Sequence, residues 1–201
     1  MSNLTSLQFF IKRSFDIFFS FFGLILSSWL IVIAWGVAAF ETRSNGFFLQ
    51  TRVGKDGKLF AVVKIKTMSN SKANASTVTT SVDPRITKGG RFFRRTKIDE
   101  LPQLWNVFVG DMSFVGPRPD VPGFADKLQG TDTNLLSIRP GITGPASLKY
   151  RNEEEILAQT NNPESYNMNV IWPDKVKINL SYIDTWSLTK DVVYIYRTLV
   201  K

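Results

Sequence analysis

From residue 17 to residue 40 the chain carries no charged side chain: IFFSFFGLILSSWLIVIAWGVAAF. As a helix this run reaches roughly 36 Å, against a hydrocarbon core about 30 Å thick. It is apolar on every side, which does not suit a soluble helix that buries one face. It also exceeds the roughly 7–15 apolar residues of a secretory signal, although Val37-Ala38-Ala39 loosely resembles a cleavage site. The run therefore reads as a membrane anchor. Lys12 and Arg13 precede it, and Arg43, Arg52, Lys55 and Lys58 follow it. Basic residues on both flanks favour both ends lying on the cytoplasmic face. Near the middle, the hydroxyls of Ser27 and Ser28 can bond back to the preceding turn and bend a helix. Trp29 prefers an interface to the centre of a span. The expectation is a re-entrant helix over residues 1–42, broken at Ser27 and Ser28, followed by a cytoplasmic catalytic domain over residues 43–201.

An apolar fraction of 43% supports a packed core in the rest of the chain. Cysteine and histidine are both absent. That excludes disulfides, thiolate metal sites, a cysteine nucleophile and any serine–histidine triad. Acid–base work then falls to Asp, Glu, Lys, Tyr or water. The formal net charge of +8 suits an anionic partner, whether lipid headgroups, phosphorylated substrates or nucleic acid. A nucleic-acid binder has no use for residues 17–40, so no nucleic-acid partner is expected and a phospholipid bilayer is.

Phe47–Val53 and Leu59–Ile65 are rich in β-formers and are separated by Gly54-Lys55-Asp56-Gly57, which predicts a β-hairpin. Residues 69–82 are small and polar, the composition of a loop, placed near the substrate. Residues 85–97 carry Arg85, Lys88, Arg91, Arg94, Arg95 and Lys97 with no acid among them. Arg91, Arg94 and Arg95 share one face if the segment is helical, either as a solvated stripe or as a clamp for phosphate oxygens. Next, Leu101, Leu104, Trp105 and Phe108 recur at amphipathic spacing. Pro102 is tolerated only in a first turn, so this helix is predicted to open at about Asp99, with Gly110 ending it. Asp99 and Glu100 would then serve as helix cap and dipole partner, or as functional carboxylates where phosphate tends to sit. Arg118 is fixed between two prolines. Residues 139–144 read as a tight turn, residues 153–155 as an acidic helix start, and residues 182–200 as a closing stretch of mixed helical spacing. The predicted class is α+β: a membrane helix plus a small domain of helices, interfacial amphipathic ones included, with a β-hairpin.

Several strings carry a resemblance. They are Lys12-Arg13-x-x-Asp16, Gln50-x-Arg52-x-Gly54-x-x-Gly57-Lys58, Lys64-x-Lys66-Thr67-Met68, and Asp83-x-Arg85-x-Thr87-x-x-Gly90. Asp99-Glu100-Leu101-Pro102-Gln103-Leu104-x-Asn106-Val107, Gly110-Asp111-Met112-Ser113-x-x-Gly116-Pro117-Arg118-Pro119 and Arg139-Pro140-Gly141-Ile142-Thr143-Gly144 follow in order. Together they resemble the bacterial sugar transferase family, and within it the small monotopic phosphoglycosyl transferases. The resemblance implies transfer of a sugar phosphate from a UDP-sugar to undecaprenyl phosphate, with release of UMP. Asp99 is implied as covalent nucleophile, and Glu100 as its partner in metal binding or in handling the acceptor's proton. Mg2+ beside Asp99 and Glu100 is implied as cofactor, and Arg94, Arg118 and Lys64 as phosphate or nucleotide contacts. Also implied are the bacterial inner membrane, an initiating step in glycan synthesis (O-antigen, capsule, exopolysaccharide or glycoprotein) and downstream glycosyltransferases. The chain resembles the minimal form of the family. It departs from the pattern at Trp29, where the family usually has proline after serine, and at Lys66, which stands for an arginine. The transferred sugar is not encoded in these strings; residues 153–169 are where it is expected to be. The competing expectation is a non-catalytic, membrane-anchored scaffold that binds lipid or nucleotide.

Overall fold

A computed structural model describes residues 4–69 and 83–200 of the chain. The segment expected to form a polar loop lies outside them from residue 70 to residue 82.

The apolar run belongs to one long helix, α1 (Ser6–Thr42), of 37 residues and therefore roughly 55 Å. A reciprocal capping box opens it: Thr5 Oγ1 accepts from Gln8 N–H, and Gln8 Oε1 accepts from Thr5 N–H. Arg43, in the left-handed region at φ 48°, ends it. The break expected at Ser27 and Ser28 does not occur, and helical backbone runs through both. Their hydroxyls do bond back, Ser27 to Gly23 O (2.6 Å) and Ser28 to Ile25 O (2.9 Å). Such bonds coexist with the helical ladder. Trp29, unlike proline, keeps the N–H that the ladder needs.

One face of α1 is covered along most of its length. Near its end, Ala34 and Ala38 pack with Ile65 and Phe93. Farther back, Gly23 faces Leu104, so closely that a Cβ would stand 3.2 Å from Leu104 Cδ1. Toward its start, the Arg13 guanidinium donates to the carbonyls of Val107 and Phe108 (2.6 and 2.8 Å). Asp16 accepts from Ser113 Oγ and Phe114 N–H (both 3.1 Å). The other face is bare: Phe10, Phe18, Leu26, Trp29, Val32 and Phe40 are exposed, Phe40 to 86%. A continuous apolar patch of this kind marks a surface meant for a membrane or partner, and α1 is long and apolar enough to cross a membrane.

The hairpin forms as expected. β1 (Phe47–Val53) and β2 (Leu59–Ile65) pair antiparallel from Phe47 opposite Ile65 to Val53 opposite Leu59. α2 (Lys88–Thr96) follows, capped by Thr87, whose hydroxyl accepts from Gly90 N–H. After a short turn comes α3 (Gln103–Val109), ended by Gly110 at φ 101°. Asn106 ties α3 to the hairpin, its side chain accepting from Val63 N–H (3.0 Å) and donating to Ala61 O (2.8 Å). Residues 139–144 are not a simple turn. They contain β4 (Gly141–Thr143), which pairs parallel with β3 (Ser113–Val115). The backbones approach so closely that a Cβ on Gly141 would meet Gly116 N at 2.1 Å, so only glycine fits there.

Short helices α4 (Pro145–Lys149), α5 (Glu153–Ala158) and α6 (Pro163–Tyr166) precede α7 (Trp172–Asp184) and α8 (Leu188–Leu199). The acidic helix start at Glu153 is therefore present. The closing stretch divides into the end of α7 and all of α8, which Ser187 caps by accepting from Lys190 N–H. Val115, Ile138, Tyr182, Ile183 and Trp186 form the core that gathers these C-terminal elements. The fold is α+β and mostly helical.

Candidate active site

Lys97, in the left-handed region at φ 61°, ends α2 and turns the chain into a 3-10 turn, Ile98–Glu100. Leu101 and Pro102 keep helical dihedrals and lead directly into α3. The expected helix start at Asp99 is thus corrected. Helical backbone opens at Ile98 as a 3-10 turn, and the α-helix proper begins at Gln103. Pro102 accounts for this, because i→i+3 bonds at Leu101, Leu104 and Trp105 carry the chain past its missing N–H. Neither carboxylate acts as the helix cap; no side chain caps the 3-10 turn.

The turn sets Asp99 and Glu100 between the hairpin, α2 and the Pro117–Pro119 loop. Glu100 Oε1 receives Arg118 Nη2 at 2.7 Å and Lys64 Nζ at 3.3 Å. Asp99 differs: its Oδ1 is buried and has no hydrogen-bond partner. The electrostatics separate the pair accordingly. Burial works to raise the Glu100 pKa, but Arg118, Lys64 and Lys97 outweigh it and hold that carboxyl well below the usual range. Burial and the adjacent Glu100 push Asp99 upward, against Lys64, Lys97 and Arg94. Neighbouring carboxylates driven apart in this way have divided roles.

The supporting cations come from three elements. Lys64, on β2, has its pKa lowered by burial, with Glu100 opposing. Arg118 is raised chiefly by Glu100 and keeps half of its side chain exposed (50%), so it is free to meet a ligand. On α2, Arg94 is half-buried and acts electrostatically on Asp99, whereas Arg91 and Arg95 are exposed. The expected three-arginine face therefore contributes one member to the site. Lys66, the departure from the family string, donates to Ser44 Oγ (2.7 Å).

Asp120 stands outside the family strings, while Arg52 and Gln103 lie within them without an assigned role. Burial pushes Asp120 up to about 6, against Lys175, Arg52 and Arg118. Arg52 donates to Pro119 O (3.1 Å) and so braces the Arg118 loop. Gln103 is buried with its Nε2 unpartnered. Nothing in its spacing set it apart, since its position alone is what a core-facing helix residue would have.

The depressed pKa of Glu100 has a consequence for stability. The stabilisation is present above the ordinary glutamate value of 4.5 and is lost as pH falls through the depressed one. Because Arg118 is the leading stabilising charge, Arg118→Ala should weaken that acid-side dependence. Urea unfolding in detergent at pH 7 and pH 2 should show a smaller difference for the variant than for the wild type.

No group of three or more Asp, Glu, His or Cys side chains poised for a metal occurs among the described residues. A two-carboxylate site suits a hard cation that takes its other ligands from phosphate oxygens and water. The unpartnered Asp99 Oδ1 fits that role; Glu100 is more heavily committed to protein cations.

Two unlike carboxylates ringed by lysine and arginine, beside an apolar helix, form a charge pattern chemically suited to phosphate-bearing ligands. The chain belongs to the bacterial sugar transferase family, whose pattern matches residues 7–201. It is 32% identical over 191 residues to the Bacillus subtilis uncharacterized sugar transferase EpsL, covering 95% of this chain and 86% of that one. It is 33% identical over 207 residues to the Salmonella typhimurium undecaprenyl-phosphate galactose phosphotransferase, covering 94% of this chain and 40% of that protein. Against the Escherichia coli UDP-glucose:undecaprenyl-phosphate glucose-1-phosphate transferase the identity is 33% over 198 residues, covering 95% and 40%. The chain thus spans about two fifths of the length of the latter two.

Proposed function

We propose that this protein is a phosphoglycosyl transferase that moves a sugar 1-phosphate from a UDP-sugar to undecaprenyl phosphate and releases UMP. The observation that carries the reading is the contrast within the carboxylate pair: a buried, unpartnered Asp99 oxygen beside a Glu100 held by Lys64 and Arg118. Membership of a family whose named relatives transfer sugar phosphates to undecaprenyl phosphate supplies the reaction class.

The transfer divides into two displacements at one phosphorus. An oxygen of Asp99 attacks the β-phosphorus of the donor. The bond from that phosphorus to the bridging oxygen breaks, and the bridging oxygen leaves with UMP. Asp99 then carries the sugar phosphate as a mixed anhydride. A phosphate oxygen of the lipid carrier attacks the same phosphorus, the Asp99–phosphorus bond breaks, and a polyprenol diphosphate sugar forms. Arg118, Arg94 and Lys64 lie where they can neutralise charge on the transferring group. Asp99 and Glu100 would hold Mg2+, which when bound supplies further charge neutralisation on phosphate oxygens. Incubation with a panel of UDP-sugars, undecaprenyl phosphate and Mg2+ should release UMP and yield one lipid-linked sugar. Binding of lipid and nucleotide without UMP release from any donor would establish the scaffold reading instead.

The membrane part of the proposal is that α1, unbroken, lies along the cytoplasmic face of the bacterial inner membrane with both of its ends on that side. Its support is that one set of elements packs against both halves of α1, from Arg13 and Asp16 at one end to Ala34 and Ala38 at the other. A straight span would separate those halves across the bilayer. Single cysteines at Ser6 and Lys58, in a chain with none of its own, should be labelled from the same side of sealed membranes. Labelling from opposite sides would show that α1 spans.

A further inference from the structure

Two buried polar atoms on the segment that runs from the carboxylate pair into α3 lack any hydrogen-bond partner: Oδ1 of Asp99 and Nε2 of Gln103. One is an acceptor and the other a donor, yet they do not satisfy each other. The helical dihedrals of Leu101 (φ −55°, ψ −37°) and Pro102 (φ −62°, ψ −16°) join the 3-10 turn to α3 without interruption. Gln103 therefore follows Asp99 by little more than one turn of continuous helical path.

The comparison with Asn106 sharpens the point. Both amides are buried on α3, Gln103 at 3% exposure and Asn106 at 2%. Asn106 is fully used by the fold, through Val63 N–H, Ala61 O and Asp111. The Nε2 of Gln103 is not used by the fold at all. Buried donors are nearly always paired, and an unpaired one costs stability. A ligand that brings an acceptor oxygen and a cationic or electrophilic centre would satisfy Gln103 Nε2 and Asp99 Oδ1 together. A phosphoryl group has this chemistry; an apolar ligand satisfies neither atom. Lys64 and Arg118 already donate to Glu100, which leaves an uncommitted neutral donor a distinct task.

We propose that Gln103 is a substrate-contacting residue whose Nε2 donates to an oxygen of the transferring sugar phosphate while Asp99 attacks its phosphorus. The inference rests on the phosphoglycosyl-transfer reading above and adds a residue to it. An amide suits the task because it carries no charge and its donated hydrogen bond strengthens as charge builds on the phosphoryl oxygen in the transition state.

Gln103→Met removes the donor and keeps the volume. In the full-length enzyme in detergent with UDP-sugar and Mg2+, it should lower kcat by about 10²-fold, the scale for losing one donor to a developing oxyanion. KM should change less. Its Tm should equal or exceed the wild-type value, because the unpaired buried donor is gone. Gln103→Glu places a carboxylate against the phosphate and should lose more activity than Gln103→Met. A purely structural role predicts the reverse pattern, a lowered Tm for Gln103→Met with kcat per folded molecule unchanged, and that result would overturn the inference. Full activity of Gln103→Met alongside an inert Asp99→Asn would sink this proposal and leave the reaction standing. An active Asp99→Asn would remove both.

Discussion

Asp99→Asn is expected to abolish UMP release from every UDP-sugar, by about 10⁴-fold or more, while the protein stays folded. The size follows from the role: an amide oxygen cannot displace UMP, and loss of a covalent nucleophile is among the largest single effects in enzymes. Retention of the fold follows from the environment. Oδ1 of Asp99 has no partner to lose, and burial with Glu100 alongside raises the carboxyl's pKa. A raised carboxyl pKa means that the folded state binds the proton more tightly than the unfolded state does. Stability therefore falls as pH rises from the ordinary value of 3.8 through the raised one. At neutral pH the ionised Asp99 costs stability, and asparagine removes that cost. Tm at pH 7 should be unchanged or higher, with the gain shrinking toward pH 4. Undiminished turnover by Asp99→Asn would end the nucleophile assignment. A large fall in Tm would show that Asp99 is structural.

The features legible in the sequence share a physical basis. The hairpin could be read because β-formers flank a glycine-bounded turn, and its pairing is local. α1 could be read because an uncharged run of that length has few alternatives. The expectation of a break at Ser27 and Ser28 rests on hydroxyls that bond back to the preceding turn; those bonds form, but Trp29 keeps its N–H and the helix runs on through both serines. β4 was hidden because three residues between proline and glycine look like a turn until a distant strand pairs with them. At the site, family strings placed Asp99, Glu100, Lys64 and Arg118, and the fold brings Lys64 and Arg118 onto one oxygen of Glu100. Asp120 lies outside the strings, and Gln103 lies within one without a role of its own, because the distinguishing property of each is tertiary. Burial lifts the Asp120 pKa to about 6, and burial leaves the Gln103 amide without a partner. Neither property has a local sequence signature. The Asp99 cap, the plainest local reading of that residue, is the one that the turn geometry removes.

The largest expected effect on stability lies away from the site, where α1 meets α8. Lys12 Nζ is 2.6 Å from Asp191 Oδ2, with side chains only 7% and 2% exposed. Tyr182 OH donates to the other Asp191 oxygen (2.6 Å), and Trp186 Nε1 donates to Oδ2 (3.0 Å). Asp191 is thus a buried anion held by one cation and two neutral donors. Lys12→Met leaves that anion without its counter-charge and should destabilise the protein by about 3–5 kcal/mol. Asp191→Asn alone leaves Lys12 buried with only the more distant Asp16 as counter-charge, and should also destabilise, by less than Lys12→Met. The double variant Lys12→Met/Asp191→Asn removes the ion pair, leaves Asp16 held by Ser113 and Phe114 N–H, and keeps an acceptor for a neutral donor, so it should recover much of the loss. Urea midpoints in detergent for the wild type, both single variants and the double variant measure the coupling. A double-variant cost equal to the sum of the single costs would show that the two charges do not interact. The same pair bears on function through position. Lys12 lies beside Arg13, which holds the end of α3 through Val107 O and Phe108 O, and α3 begins at Gln103. Activity of Lys12→Met should therefore fall when α1 separates from α8, and should return when the double variant restores the packing.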